Sequence, residues 1–353
     1  MGNKIKLSVF GESHGAAIGC VIDGFPAGIT LDNEKINKDM QRRAPGRDKT
    51  ATPRKEADEP IILSGVLNGK TTGAPIAMQI QNTNTKSGDY ANIALVPRPS
   101  HSDYPAFVKY GGNNDVRGGG HFSGRLTAPI VFAGALAKQA LAEKGIIIAA
   151  HIKQIGSVSD EGFDKNDISR ELIEALAVSS FGTISAGAEA EMRAEIEAAR
   201  LDGDSVGGII ECAAIGVPAG FGGNMLDTVE GRLASALFGI PAVKGVEFGA
   251  GFGFAQMHGS EANDGYEIAN GKVQLKSNNN GGVLGGITSG APIVFSVAIK
   301  PTPSISKPQA SVNLEAMENE TLVINGRHDP CIVPRAVPVV EAMAAITLLD
   351  III

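Results

Sequence analysis

Apolar residues are grouped in short and long runs that alternate along the chain. Short runs at Ala16 to Ile22 and Gly208 to Ile215 predict buried strands, and Asp32 to Arg43 and Asp227 to Phe238 predict helices. Longer segments predict further helices, at Thr127 to Lys144, Ile168 to Val178, Ala188 to Leu201 and Arg335 to Asp350. Pro338 lies near the start of the last of these, where a missing N–H costs little. Because strands and helices are interleaved, the pattern predicts a mixed fold.

The chain also contains a repeat. Gly65 to Ile76 reads GVLNGKTTGAPI and Gly282 to Ile293 reads GVLGGITSGAPI, and the two align without a gap. A Pro-Ala-Gly turn precedes each copy, at Pro26 to Gly28 and at Pro218 to Gly220. The order strand, turn, helix, hairpin, strand is the same in both. We therefore predict duplicated halves, approximately residues 1–150 and 200–330, related by a pseudo-twofold axis within one domain of residues 1–353. The helix at residues 335–350 follows them.

Composition narrows the class of protein. The formal net charge is −7, which gives no broad electrostatic footprint for nucleic acid. We find neither an apolar stretch long enough for a bilayer nor a secretory N-terminus, so no membrane association is expected. Cys20, Cys212 and Cys331 are few, odd in number and far apart, which favours a reducing cytoplasm. No C-x-x-C or H-E-x-x-H spacing predicts a metal site.

Two histidines lie in predicted loops. His14 is in the stretch GESHG and His101 is in RPSHSDY, both among glycine and small polar residues. Imidazole is the side chain best suited to move protons near neutral pH, so an acid–base enzyme is the first hypothesis. The alternative for His14 is a structural loop residue.

The GESHG stretch also matches the G-x-S-x-G nucleophile elbow of serine hydrolases. That motif requires a helix directly after the serine, whereas Ala16 to Gly28 predicts a strand and a turn. A serine hydrolase is therefore disfavoured.

Other segments predict binding of an anion. Basic residues are concentrated in one stretch, at Arg42, Arg43, Arg47, Lys49, Arg54 and Lys55. They indicate a docking site for phosphate or carboxylate; a solvated loop or an RNA patch is the alternative, and the lack of aromatic residues there argues against RNA. The glycines of Arg117 to Arg125 precede the Thr127 helix and could form an anion cradle. Asp329 belongs to the second half, so we expect the site at the junction of the halves.

Taken together, several stretches resemble the chorismate synthase family. They are GESHG, RPSHSDY, Arg117 to Ser123, SNNNGGVLGGITSG, KPTPSI and GRHDPCIVPRAVPVVEAM, and the resemblance runs from residue 5 to about residue 350. It implies the conversion of 5-enolpyruvylshikimate 3-phosphate into chorismate and phosphate, a 1,4-anti-elimination that needs reduced FMN without net oxidation. It also implies an α+β fold, a single β-α-β sandwich with helices between two largely antiparallel sheets, and a homotetramer.

The same resemblance implies a role for particular residues. His14 would protonate the leaving phosphate, His101 would protonate or stabilise the reduced flavin near N1, and Asp329 would help flavin N5 to remove the ring proton. Arg43, with Arg47 or Lys49, would bind the substrate phosphate and, in bifunctional relatives, NADPH. The implied flavin contacts are His121, Phe122, Ser123, Ala242, Gly285, Lys300, Pro301, Thr302, Pro303, Ser304 and Arg327.

The chain departs from the family pattern at two named motifs, and the stretch after Gly46 varies as well. His121-Phe122-Ser123 stands where many relatives have Arg-Ser-Ser, and Pro241 stands where Asn is common. Since no long insertion suggests a built-in reductase, we expect an external flavin reductase to supply FMNH2. A non-catalytic protein that binds flavin or an anion is the alternative from another class.

Overall fold

The strands form two main antiparallel sheets. The computed structural model describes residues 2–46, 58–83, 95–164, 167–269, 271–324 and 329–353. Across these ranges the strands are β1 (Lys6–Gly11), β2 (Ala17–Asp23), β3 (Ile61–Ile62), β4 (Val66–Leu67), β5 (Lys70–Thr71), β6 (Ile76–Gln81), β7 (Ile147–Ile155), β8 (Val158–Ser159), β9 (Gly208–Ile215), β10 (Val243–Phe248), β11 (Tyr266–Ala269), β12 (Lys272–Leu275), β13 (Val283–Leu284), β14 (Ile287–Thr288), β15 (Ile293–Ile299), β16 (Gln309–Asn313) and β17 (Glu318–Leu322). The first sheet has the order β1-β2-β6-β3 and the second β10-β15-β9-β7-β8.

Two long helices pack at the centre of the molecule, next to these sheets. The α-helices of the described ranges are α1 (Asn33–Arg43), α2 (Asp103–Tyr110), α3 (Thr127–Ala142), α4 (Arg170–Leu176), α5 (Ala186–Leu201), α6 (Val229–Phe238), α7 (Gly259–Ala262) and α8 (Val333–Ile352). Apolar α3 packs against α8, against β2 of the first sheet and against β7 of the second, while α8 also covers β9. A Cβ at Gly134 would lie 2.2 Å from the Cβ of Ala342, so glycine permits the close crossing of α3 and α8. The predicted α+β sandwich is confirmed.

The outer face of the second sheet carries a smaller apolar cluster. Ala149, Ala213 and Val294 point away from α3 and α8 and pack with Ile173 and Leu176 of α4. Successive side chains of β7, β9 and β15 point to opposite faces of the second sheet, and both of its faces are buried. Near-continuous apolar runs in the sequence are typical of such strands.

The predicted helices agree with the structure within a few residues, but the start of α8 differs. It begins at Val333, and Pro334 occupies its first turn. The prediction that Pro338 lies where a missing N–H is harmless is wrong, because Pro338 lies inside the helix and leaves the carbonyl of Pro334 without the usual bond. Apolar packing of the whole helix outweighs this local loss.

The two copies of the repeat form the same hairpin. In the first, the hydroxyl of Thr71 accepts from the N–H of Ile29 and donates to the carbonyl of Pro26. In the second, the hydroxyl of Thr288 accepts from the N–H of Phe221 and donates to the carbonyl of Pro218. These matching bonds support the proposed duplication of the chain.

The described ranges lack two kinds of feature. No helix there has the length and apolarity that a bilayer span requires. No group of His, Cys, Asp and Glu there is arranged to hold a metal ion.

Candidate active site

His14 lies in the turn that joins β1 and β2. The turn closes through a bond from the N–H of Gly15 to the carbonyl of Glu12, and the N–H of Ser13 donates to the carbonyl of Gly120. The amide of Asn82 donates to the carbonyls of Glu12 and Gly15, at 3.0 and 2.9 Å. Because a strand follows the turn, the arrangement is not a nucleophile elbow, as the sequence predicts.

A glycine segment brings the two histidines together. Gly118, Gly119 and Gly120 have φ of +59, +85 and +54° inside the 3-10 segment Arg117–Phe122. A Cβ at Gly118 would lie 2.3 Å from Cε1 of His14, and a Cβ at Gly119 would lie 3.3 Å from Nε2 of His101. Both imidazoles therefore approach the same bare backbone. The 3-10 segment Gly124–Leu126 lies between these glycines and α3, which begins at Thr127 as the sequence predicts.

His101 belongs to a compact ionic cluster at the start of α2. Its Nδ1 is 2.6 Å from Oδ1 of Asp103, and Arg98 binds both oxygens of the same carboxylate, at 2.7 and 2.8 Å. Burial alone would raise the pKa of Asp103, but the bonds from Arg98 and His101 outweigh it and hold that pKa well below its usual range. Arg98 also donates to the hydroxyl of Ser304, at 3.3 Å.

A second ionic cluster links the His14 turn to α1. Asp58, whose side chain is fully buried, bonds Arg43 at 2.5 Å and Arg125 at 2.7 Å. Burial raises the pKa of Asp58, yet the charges of the two guanidinium groups lower it overall. Arg125 donates to the side-chain oxygen of Asn82, at 2.6 Å, and so reaches the residue that holds the His14 turn.

Asp329 is joined to both clusters. Arg335 bonds the Asp329 carboxylate at 2.5 Å and the carbonyl of Arg43 at 3.0 Å. The hydroxyl of Thr302 donates to the carbonyl of Asp329, at 2.8 Å, and Thr302 lies two residues from Ser304 of the His101 cluster. Contacts therefore run from the His14 turn through Asn82, Arg125, Asp58, Arg43 and Arg335 to Asp329 and Thr302. The chain from Thr302 to Ser304 continues the path, and contacts of Arg98, His101 and the glycines lead back to His14. We call this closed path the site ring.

The residues at one side of the site ring fit an anionic cofactor such as FMN. Ala242 has φ of +74°, a strained conformation for a residue with a side chain, and its carbonyl accepts from the N–H of Lys300. The ammonium group of Lys300 donates to the carbonyl of Ser100, next to His101. Burial and the neighbouring charge of Lys244 lower the pKa of Lys300. A bound phosphate would offset the repulsion between Lys300 and Lys244. The positive charge of the two lysines therefore suits a phosphate group.

The other implied flavin contacts have local partners. His121 bonds the carbonyl of Gly11 at 2.8 Å, Phe122 contacts the ring of Tyr110, and Ser123 caps the 3-10 segment that follows it. Pro301 and Pro303 lie beside Thr302, and Gly285 lies at the tip of the β13–β14 hairpin, whose Gly286 carbonyl bonds α6. The flavin roles of these residues stay predictions.

The predicted basic cluster is divided. Arg43 is almost fully buried and bonds Thr127 and Gly124 besides Asp58, so the structure places it in the site ring. Arg42 does not belong to a docking site, because its guanidinium group is buried and forms an ion pair with the carboxylate of Glu341, with an N–O distance of 2.7 Å. Arg47, Lys49 and Arg327 lie outside the described residues.

Sequence reasoning missed the residues that connect the site. Asn82, Asp58, Arg98, Asp103 and Arg335 were not singled out. Arg98 and Asp103 could have been found from the sequence, because they place a positive and a negative charge within three residues of His101. Asn82 and Asp58 carry no such signal, since Arg125, their shared partner, lies 43 and 67 residues away in the chain, and the nearer partner of Asp58, Arg43, is 15 residues away.

Proton-handling side chains beside buried arginines define an enzyme that acts on an anionic substrate. Comparison with known proteins gives its family. Residues 5–353 match the family model described as chorismate synthase. Chorismate synthases of Thermococcus kodakarensis and Korarchaeum cryptofilum are 49% and 48% identical, and each alignment covers 99% of this chain and 96% of the relative. A crystal structure of chorismate synthase matches with a TM-score of 0.76 at 31% identity, over 99% of this chain and 92% of that one. The chain belongs to the chorismate synthase family, lyases of the shikimate pathway.

Proposed function

We propose that the protein catalyses the 1,4-anti-elimination of phosphate from 5-enolpyruvylshikimate 3-phosphate, with reduced FMN bound. The ring proton and the phosphate leave, the C–O bond to phosphate breaks, and chorismate forms without net oxidation. The observation that carries the proposal is the site ring, which joins His14, His101, Arg43 and Asp329 through contacts between residues of both halves of the chain.

Each residue has a task in this proposal. His14 holds a proton beside the departing phosphate, and Arg43 compensates its charge together with Arg125. Ala242 and Lys300 would hold reduced FMN, whose chemistry when bound would be to lend electron density to the allylic system. Asp329, fixed by Arg335, orients the side of the site where the ring proton is removed. Glycine backbone packs closely against both histidines and shields one side of each ring from water.

An anaerobic assay tests the function. The enzyme is mixed with chemically reduced FMN and 5-enolpyruvylshikimate 3-phosphate, and chorismate absorbance and phosphate release are followed with and without NADPH. We expect equal amounts of both products with reduced FMN alone. Phosphate without chorismate would mean a phosphatase, and flavin binding without either product would mean a binding protein.

Two variants test the acid–base roles. His14→Ala and His101→Ala each remove a proton-transfer group, so we expect kcat to fall by about 10²–10⁴-fold while FMN still binds. His258→Ala is the control, because His258 is exposed and caps the short helix α7. Turnover like that of the unaltered enzyme in either site variant would refute the assigned role.

Further proposals concern the reductant, the assembly and the compartment. We propose that the reduced flavin comes from an external reductase, because no long insertion suggests a built-in one, with NADPH as a possible reductant. We also propose that the protein is a homotetramer, as the family resemblance implies, and that it is cytoplasmic. Its cysteines are free and buried, which suits a reducing compartment. Tyr266, Ile268 and Val273 lie exposed on one face of the β11–β12 hairpin and would be covered by another subunit. Light scattering of the purified protein measures the subunit number.

A further inference from the structure

The contacts of His101 are more specific than those of a histidine in a solvated loop. Three atoms surround its Nδ1: Oδ1 of Asp103 at 2.6 Å, a terminal nitrogen of Arg98 at 3.1 Å and the hydroxyl of Ser102 at 3.4 Å. The side chains of Arg98 and Asp103 are each 6% exposed, and that of His101 is 17% exposed. Such burial makes it costly to leave a donor or an acceptor without its match.

The protonation of these groups follows from what each can donate. Arg98 is always charged and only donates, and three of its N–H groups, one of them on the backbone, point at the Asp103 carboxylate. Asp103 is therefore an ionised acceptor. If Nδ1 of His101 carried a lone pair, it would face Oδ1 of Asp103 across 2.6 Å with no proton between them. A proton on Nδ1, donated to Asp103, removes that repulsion.

The opposite edge of the ring faces the reactive side of the site. A Cβ at Gly119 would lie 3.3 Å from both Cε1 and Nε2 of His101, so Nε2 is the nitrogen directed at the glycine segment that also meets His14. Arg98, which holds Asp103, is itself fixed by Ser304 from the second half of the chain. The ring orientation thus depends on both halves.

We propose that Asp103 is the positioning residue of His101: it fixes the Nδ1–H tautomer and leaves Nε2 to exchange a proton or a hydrogen bond with the bound ligand. Arg98 neutralises the carboxylate, so the Arg98–Asp103 pair orients the His101 ring without adding net charge. Neutral His101 accepts at Nε2, and protonated His101 donates there. The tautomer stands on the contacts alone, whereas its use in catalysis rests on the proposed function.

Nuclear magnetic resonance on the full chain labelled with ¹⁵N-histidine tests the tautomer. Long-range ¹H–¹⁵N correlation distinguishes Nδ1–H from Nε2–H rings, at a pH where the ring is neutral, and His101→Gln identifies the signal. We expect the Nδ1–H pattern in the unaltered protein and a mixture of both tautomers in Asp103→Ala. An Nε2–H ring for His101 in the unaltered protein would overturn the proposal, whether or not Asp103→Ala folds.

Kinetics test the positioning role. We expect Asp103→Ala to lower kcat by about 10–100-fold and to change KM for the substrate by less than about twofold, with Asp103→Glu restoring part of kcat. Glu171→Ala is the matched control, because Glu171 is an exposed acid in the first turn of α4 and reports the loss of a favourable helix-dipole contact alone. An unchanged kcat in a folded Asp103→Ala variant would refute the proposed role of Asp103 in catalysis. If the unaltered enzyme makes no chorismate yet shows the Nδ1–H ring, the proposed function fails and the positioning contact stands.

Discussion

At the scale of single residues, the site depends on glycines as much as on its histidines and charged side chains. Gly118 and Gly119 have no Cβ, and the rings of His14 and His101 occupy the space beside them. The positive φ of both residues turns the segment so that its backbone faces the two rings. The space for the rings and the positive φ both require glycine, because glycine has no Cβ and adopts positive φ without steric strain.

Substitution of Gly118 separates these two requirements. In Gly118→Ala the new Cβ would lie 2.3 Å from Cε1 of His14, so the ring must move, and the left-handed backbone is strained as well. We expect the free energy of unfolding to fall by about 1–3 kcal/mol and kcat to fall by more than about tenfold. Denaturant unfolding and the anaerobic assay measure the two effects.

Gly28→Ala is the control for that experiment. Gly28 has φ of +85°, but no atom lies within 4 Å of the position of its Cβ. The strain is thus similar and the histidine is undisturbed, so stability should fall while kcat is kept. Equal losses of kcat in the two variants would contradict the proposed crowding of His14.

At the scale of elements, the two ends of the described chain are held to each other. Asp350, near the end of α8, accepts from the backbone N–H groups of Asn3, Lys4 and Ile5, at 2.9, 2.7 and 2.5 Å. Arg232 of α6 also pairs with it. Burial raises the pKa of Asp350, but the backbone donors and Arg232 outweigh this and lower it. The carboxylate thereby joins the segment that leads into β1 to α6 and α8.

This lowered pKa predicts a pH-dependent stability. A carboxyl whose pKa is lower in the folded state stabilises the protein above its unfolded pKa of about 3.9, and the contribution is lost as the pH falls through the folded pKa. We expect Asp350→Asn to cost about 1–3 kcal/mol at pH 7 and progressively less under acid conditions. Urea unfolding across this pH range measures the difference.

Asp227→Asn provides the comparison, since Asp227 pairs with the same Arg232 at 3.7 Å but its side chain is 60% exposed. An exposed pair of this kind contributes at most about 1 kcal/mol. A constant difference between Asp350→Asn and the unaltered protein at every pH would rule out the carboxylate as its source.

Elements and contacts differ in how far the sequence predicts them. Apolar periodicity located α1, α3 and β9 within a few residues, because local pattern decides burial. It misplaced Pro338, since the start of α8 depends on the packing of the whole helix. Asp350 and Asn3 are 347 residues apart in the chain, and no local pattern marks their bond. The same holds for Asp58 and Arg125: the histidines were predictable from their loops, and the ion pairs that orient the site were not.

At the scale of the whole molecule, the two halves repeat a structural unit at the level of single bonds. Thr71 and Thr288 are 4% and 3% exposed, and each hydroxyl joins an N–H and a carbonyl of the Pro-Ala-Gly turn before it. The hairpins thus anchor equivalent turns in each half. If the halves are related by a pseudo-twofold axis, equivalent substitutions should have equivalent costs.

Replacing each threonine by valine tests this equivalence, because valine keeps the shape and removes the hydroxyl. Thr71→Val and Thr288→Val each leave a buried N–H and a carbonyl without their side-chain partner, so each should lower the free energy of unfolding by about 1–3 kcal/mol. The two threonines share none of these partners, so the double variant should equal the sum within about 0.5 kcal/mol. Thr72→Val, at an exposed position of the first hairpin, should cost far less and serves as the control. A large loss from one hairpin with almost none from the other would show that the two copies share a sequence but no longer share a structural role.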